Sequence, residues 1–168
     1  MSDKTRRHPA VLNLDEAERR EMTFGSRFGA IRASLSGPTT SRQLGCRWFE
    51  LPPGRVTMPY HWHGGAEEAL FILSGEGTLR VGEDRVPVRA GDWVSFPAGP
   101  EHAHQLENTS DAPLSYLCVA TEPSTDVIGY PDSKKIMAWT ASEGGEAWHK
   151  SIHLDANSVG YFEGEDLG

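Results

Sequence analysis

Two histidines one residue apart, His61-Trp62-His63, are followed by a pair of carboxylates, Glu67-Glu68, and later by a second such pair of histidines, His102-Ala103-His104. Side chains at i and i+2 of an extended strand share a face, so His61 and His63 would look into the same volume. Glu67 and Glu68, as neighbours, must point opposite ways, so only one can join them. Two imidazoles, a carboxylate and a third imidazole form a donor set for one divalent transition metal ion, with zinc, iron, manganese and nickel all compatible. Four protein ligands on an ion that accepts five or six leave room for water, dioxygen or substrate. An oxidisable ion there could activate dioxygen beside a bound substrate, whereas a redox-silent ion could polarise a carbonyl as a Lewis acid.

Such residues need rigid, closely spaced strands, and the chain reads that way. Strand signals run over Gln43 to Leu51, His61 to His63, Ala69 to Leu73, Thr78 to Val81, Arg85 to Val88, Trp93 to Phe96, His102 to Leu106 and Leu114 to Ala120. Between them stand Pro52-Pro53-Gly54, Gly82-Glu83-Asp84, Gly91-Asp92 and Pro97-Ala98-Gly99, which are turn chemistry. Short strands at this density predict an all-β antiparallel sandwich or barrel. Phe24 to Leu35 reads as an early strand or hairpin, Trp148 to Leu154 as a late strand, and Leu14 to Arg20 as one or two helical turns. The expected organisation is a polar arm over 1–23, a barrel with flanking strands over 24–140 and a C-terminal extension over 141–168.

The motifs resemble those of the cupins. The first cupin motif ends with a glutamate, six residues and a glycine, and Gly75 stands at that offset from Glu68 rather than from Glu67. The second is matched by Gly91, Pro97 and Gly99. Its histidine is His102 when counted forward from Gly99 and His104 when counted back from Asn108; on the reading of one continuous strand both share a face. The chain further resembles a subgroup of small cupins in Phe24 to Gly29, Glu50 to Gly54, Ala103 to Asn108 and Tyr130 to Lys135. There the histidine of Ala-His-Gln-Leu is the usual ligand. The resemblance therefore implies a double-stranded β-helix, a jelly-roll-like barrel, whose ion is held by His61, His63, Glu68 and His104. His102 is left as an alternative ligand or a neighbour of the site. It does not imply a reaction. A metal-dependent enzyme on a small oxygen-rich metabolite (oxygenase, decarboxylase or isomerase type) is the first expectation. A non-catalytic cupin that holds metal and a small ligand is the second.

Composition narrows the partners. A net charge of −8 over 168 residues disfavours nucleic acid and anionic membrane surfaces. No apolar run approaches the ~20 residues that span a bilayer. Met1 to Pro9 carries charges without an apolar stretch behind them, so a cytoplasmic protein is expected. Cys46 and Cys118 are expected as buried free thiols. Trp48, Trp62, Trp93 and Tyr116 are expected in the core or at an interface, and His149 and His153 as ordinary strand residues. Arg47, Arg80 and Arg85 are candidate anion clamps for a carboxylate substrate, since guanidinium binds carboxylate bidentately, but a solvated face is the first expectation for each. Strand-like segments outside the central barrel leave edges that invite pairing, which predicts a homodimer.

Overall fold

A computed structural model describes residues 8–141 and 147–166. The chain is a nearly all-β double-stranded β-helix. In order, its strands are β1 (Arg19–Phe24), β2 (Phe28–Ser34), β3 (Leu44–Leu51), β4 (Trp62–His63), β5 (Glu68–Ser74), β6 (Glu76–Val81) and β7 (Asp84–Arg89). Then come β8 (Trp93–Phe96), β9 (His104–Glu107), β10 (Leu114–Thr121), β11 (Thr125–Tyr130), β12 (Lys135–Ala141) and β13 (Ala147–Leu154). One layer is a six-stranded sheet ordered β1-β2-β3-β10-β5-β8. The facing layer consists of β13-β12-β11-β4 and β7-β6-β9, and an antiparallel bridge between His61 and His104 joins its two parts. Val56 bridges both Phe28 and Glu107 and so ties the two layers together.

Alternation places the core. Phe49, Leu51, Leu70, Ile72, Leu79, Leu106 and Leu114 point between the layers, and Leu51 and Leu114 are wholly buried. The chain turns from one layer to the other at Gly75, where φ is 81° and a Cβ would lie 2.5 Å from the Pro113 carbonyl. Asn108 is also fully buried: its amide donates to the carbonyls of Leu51 (2.7 Å) and Ala112 (2.8 Å) and accepts from Ser110. The asparagine of the second motif thus braces a turn. On the outer face of β2 and β3, Trp48 packs against Ala17, Ala33, Leu12 and Leu14, and its indole N–H donates to Ser115 Oγ at 2.8 Å.

The structure departs from the sequence reading in several places. Residues 1–23 are not wholly an arm, because Arg19 to Thr23 pair with β2. The helical turn is a three-residue 3-10 turn at Leu14–Glu16, and Arg19 and Arg20 are already strand. His102 is not on the strand of His104. Pro100, with Gly99 at φ 138° before it, starts a 3-10 turn over Pro100–His102, and β9 begins only at His104. Of the aromatics expected in the core or at an interface, Trp93 is 60% exposed and so lies outside the core. Strands β11 and β12 were not anticipated as such. Cys46 pairs with Val119 and Cys118 with Arg47, so the two thiols project from opposite faces and are free; Cys46 is only half-buried. No helix among the described residues is long and apolar enough to cross a membrane.

Leu114→Ala should lower stability by about 2–5 kcal/mol, since a fully buried leucine leaves a cavity. Leu73→Ala, on the exposed side of β5, should stay within about 0.5 kcal/mol. Urea denaturation of the two variants checks the assignment of faces.

Candidate metal centre

The site is assembled across both layers. His61 and His104 exchange backbone hydrogen bonds, N to O at 3.1 and 2.8 Å, which makes them a directly opposed antiparallel pair with side chains on one face. Glu68 opens β5 in the opposite layer and sends its carboxylate back toward them, while Glu67 is exposed. One donor atom each from His61, Glu68 and His104 lies within 4.8 Å of the others. His104 Nε2 is 3.2 Å from Glu68 Oε1, and His63 Nε2 is 3.8 Å from Glu68 Oε2. His102 is elsewhere: its Nε2 lies 3.7 Å from Glu101 Oε1 and its side chain is 35% exposed.

Each of the three rings is oriented through its other nitrogen. His61 Nδ1 donates to the Pro59 carbonyl (2.8 Å), His104 Nδ1 to the His102 carbonyl (3.0 Å) and His63 Nδ1 to Asp126 Oδ2 (2.6 Å). Those oxygens can only accept, so an Nδ1 proton is held on each ring and the Nε2 atoms face the cluster, that of His104 against Glu68 Oε1. Phe96 stacks on the His104 ring at 3.6 Å between centroids, and Tyr130 lies beside His61 at 6.2 Å. Asp126 also accepts from the Gly65 amide at 2.7 Å. A carboxylate behind a histidine in this way sets the tautomer and raises the basicity of the nitrogen in front. The donor set fits a divalent transition ion: two imidazoles and one carboxylate converge, and a third ring stands 3.8 Å from the same carboxylate.

Electrostatics accord with that. Burial pushes the His61 imidazole down to about 4, aided by the neighbouring His104, so it is neutral at physiological pH. Burial alone would raise the Glu68 carboxyl, but the hydrogen bond from His104 and the surrounding imidazoles bring it to about 2. Asp126 is held below the usual carboxylate range because His63 and the Gly65 amide outweigh the cost of its burial.

The cluster opens into a cavity of about 310 Å³, walled by Phe49, Leu70, Tyr116, Ile128, Tyr130 and Met137. Tyr116 is fixed at its base by a 2.6 Å hydrogen bond to Thr57. Arg47 reaches this cavity, as does Arg32. Arg80 does not: it forms a bidentate pair with Asp132 at 2.6 and 2.9 Å and stacks on Tyr60. Arg85, paired with Arg80 across the β6–β7 hairpin, is exposed. Asp126, Tyr130, Met137 and Arg32 were missed as site residues in the sequence. Tyr130 stood within a quoted motif, and Asp126 lies two residues before Ile128 on a strand; neither carries a spacing rule.

Residues 47–120 match the family model for the Cupin domain, so the chain carries a cupin domain. It is 40% identical over 71 residues to an oxalate-binding protein of Thermotoga maritima, a stretch covering 42% of this chain and 56% of that protein. The chain spans only about half the length of the curated relatives it matches. Among solved structures, one described as a sugar phosphate isomerase from Silicibacter pomeroyi superposes with a TM-score of 0.76 at 26% identity, covering 91% of this chain and 98% of that one. A Thermotoga maritima structure, assigned by prediction as an oxalate decarboxylase, gives 0.60 at 27% identity, covering 67% of this chain and 99% of the other.

Asp126→Ala should release the His63 ring. In metal-free protein, nitrogen NMR should show His63 as one Nδ1–H tautomer, and a mixture in the variant. Zinc affinity should fall by about 10–100-fold. An unchanged tautomer and affinity would remove Asp126 from the site.

Proposed function

We propose that this cupin holds one divalent transition metal ion through His61, His63, Glu68 and His104, and isomerises a small polyhydroxy carbonyl compound of the sugar phosphate type. The observation that carries the metal reading is the convergence of His61 and His104 on the buried Glu68 carboxylate, with His63 Nε2 3.8 Å from its other oxygen. The reaction class rests on the Silicibacter pomeroyi likeness, which extends over 91% of the chain and so includes strands beyond the matched cupin domain. When bound, the ion would polarise a substrate carbonyl and acidify the adjacent C–H. An aldose–ketose shift then moves one proton between neighbouring carbons and one between their oxygens, with no external oxidant. The cavity volume suits a small metabolite. Burial raises the Tyr130 phenol above its ordinary value, so at neutral pH it is a hydrogen-bond donor to substrate oxygens.

A second reading, a non-catalytic metal and ligand binder, is favoured by the likeness to the oxalate-binding protein. Metal analysis and turnover separate the two. Native protein should contain about one ion per chain; His104→Ala should lose it and His102→Ala should keep it. The reverse pattern would overturn the ligand assignment, and retention in both would sink the metal site. Metal-loaded protein given a panel of aldose and ketose phosphates should interconvert at least one pair by proton NMR. Binding without interconversion would leave the second reading.

We also infer a two-fold homodimer. Strand β13 closes one end of its layer, and Ile152 and Leu154 are 55% and 53% exposed. Ile152 pairs with Met137, which pairs with Ile128, so this apolar face continues the cavity wall outward. A second copy laid over it would roof the site. Light scattering at micromolar concentration should give twice the chain mass of 18.5 kDa, and a monomeric mass would refute the dimer.

A further inference from the structure

The cavity contains two cations that the metal centre does not use. Arg32 shares its face of β2 with the buried Ala30, and Arg47 shares its face of β3 with Phe49 and Leu51. Both stems therefore rise from the inner surface of the six-stranded layer, and both line the cavity. Among the described residues Arg32 has no ion pair or hydrogen bond. Arg47 has only Glu122, with Nη2 3.6 Å from Oε1, a separation that leaves its N–H groups unspent. Both groups thus keep N–H donors that the oxygens of a ligand in the cavity can meet.

Their placement on the layer bears on the ligand. Arg47 is opposite Cys118 on β10, and Cys118 is opposite Leu70 on β5, the strand that begins with Glu68. Two strand spacings, roughly 10 Å, thus separate the backbone carrying Arg47 from that carrying the metal-centre carboxylate. Arg32 and Arg47 stand on neighbouring strands, two residues out of register, so both forks can meet one anion in the cavity. A lone carboxylate is satisfied by one guanidinium fork, whereas a phosphate monoester carries about −1.5 to −2 charge and three acceptor oxygens at neutral pH.

We propose that Arg32 and Arg47 form the distal phosphate subsite of this cavity, so that the substrate is a phosphorylated polyhydroxy compound bound with its carbonyl at the histidine–glutamate cluster. The assignment rests on the isomerase reading for the carbonyl end and on the arginines alone for the phosphate end.

Calorimetric titration tests it, with ribose phosphate, ribose and oxalate as probes on zinc-loaded wild type, Arg32→Met and Arg47→Met. Metal content and thermal midpoint are measured on each sample. Ribose phosphate should bind wild type, ribose should bind at least about tenfold more weakly, and each methionine variant should lose about tenfold or more for ribose phosphate only. Zinc content should be unchanged, which separates this subsite from the metal centre. Should a methionine variant unfold, Arg32→Lys and Arg47→Lys keep the charge and stem while losing the fork, and should show a smaller loss of the same kind. Equal affinity for ribose phosphate in wild type and variants would overturn the proposal, as would arginine-dependent binding of oxalate in preference to it. Arginine-dependent phosphate binding by protein that takes up no zinc would uphold the subsite and defeat the metal reading. Zinc uptake without phosphate affinity would do the opposite.

Discussion

The site depends on one backbone contact, the reciprocal pair of hydrogen bonds between His61 and His104. Without it, β4 with β11 to β13 and β6, β7 and β9 would be separate sheets. With it they form one layer, and the residues that close the seam are two of the three histidines. Opposed residues of a hydrogen-bonded antiparallel pair project to the same side. Closing the barrel and converging the imidazoles are thus a single geometric event. Fold stability and ligand geometry are consequently coupled, and a slip of one segment by one residue would turn its ring away from the other.

The charge state of the cluster follows from the same packing. Glu68 needs partners because a buried carboxylate alone is costly. Three imidazoles face it, but their Nδ1 protons are committed to Pro59, His102 and Asp126. The apo cluster can be satisfied by a proton on His104, or by a cation that accepts all four lone-pair donors at once. His61 and Glu68, held near 4 and 2, are poised in their ligand-competent forms across the physiological range. A proton satisfies one donor pair, whereas a divalent ion satisfies four. The donor set is better matched to the ion.

Much of this was legible in the sequence, and the failures are instructive. Period-two spacing found His61 and His63, and the offset to Gly75 selected Glu68 over Glu67, because strands carry a rigid alternation and corners demand glycine. His102 and His104 could not be separated by alternation, since they differ by two. What separates them is the Pro100 turn, which takes His102 out of the strand and turns its ring toward Glu101. Asp126 was invisible because its role comes from pairing β11 with β4, a contact 63 residues apart in the chain. Long-range pairing leaves no local spacing to read. Arg32 was passed over for the same reason, and the pairing of Arg80 with Asp132, 52 residues away, left no local spacing either.

These omissions have a pattern that bears on function. The matched cupin domain, residues 47–120, contains every proposed metal ligand. The walls that a substrate would touch come largely from outside it: Arg32 on β2, Asp126, Ile128 and Tyr130 on β11, and Met137 on β12. A relative that shares only the central barrel therefore speaks to the ion and is nearly silent about what is bound beside it. The oxalate-binding protein overlaps 42% of the chain, whereas the Silicibacter pomeroyi structure overlaps 91% and includes those flanking strands. Higher identity over the shorter stretch is thus the weaker guide to substrate. The two arginines follow the same division, Arg47 inside the matched domain and Arg32 on β2 outside it, so the full wall is present only where the flanking strands are.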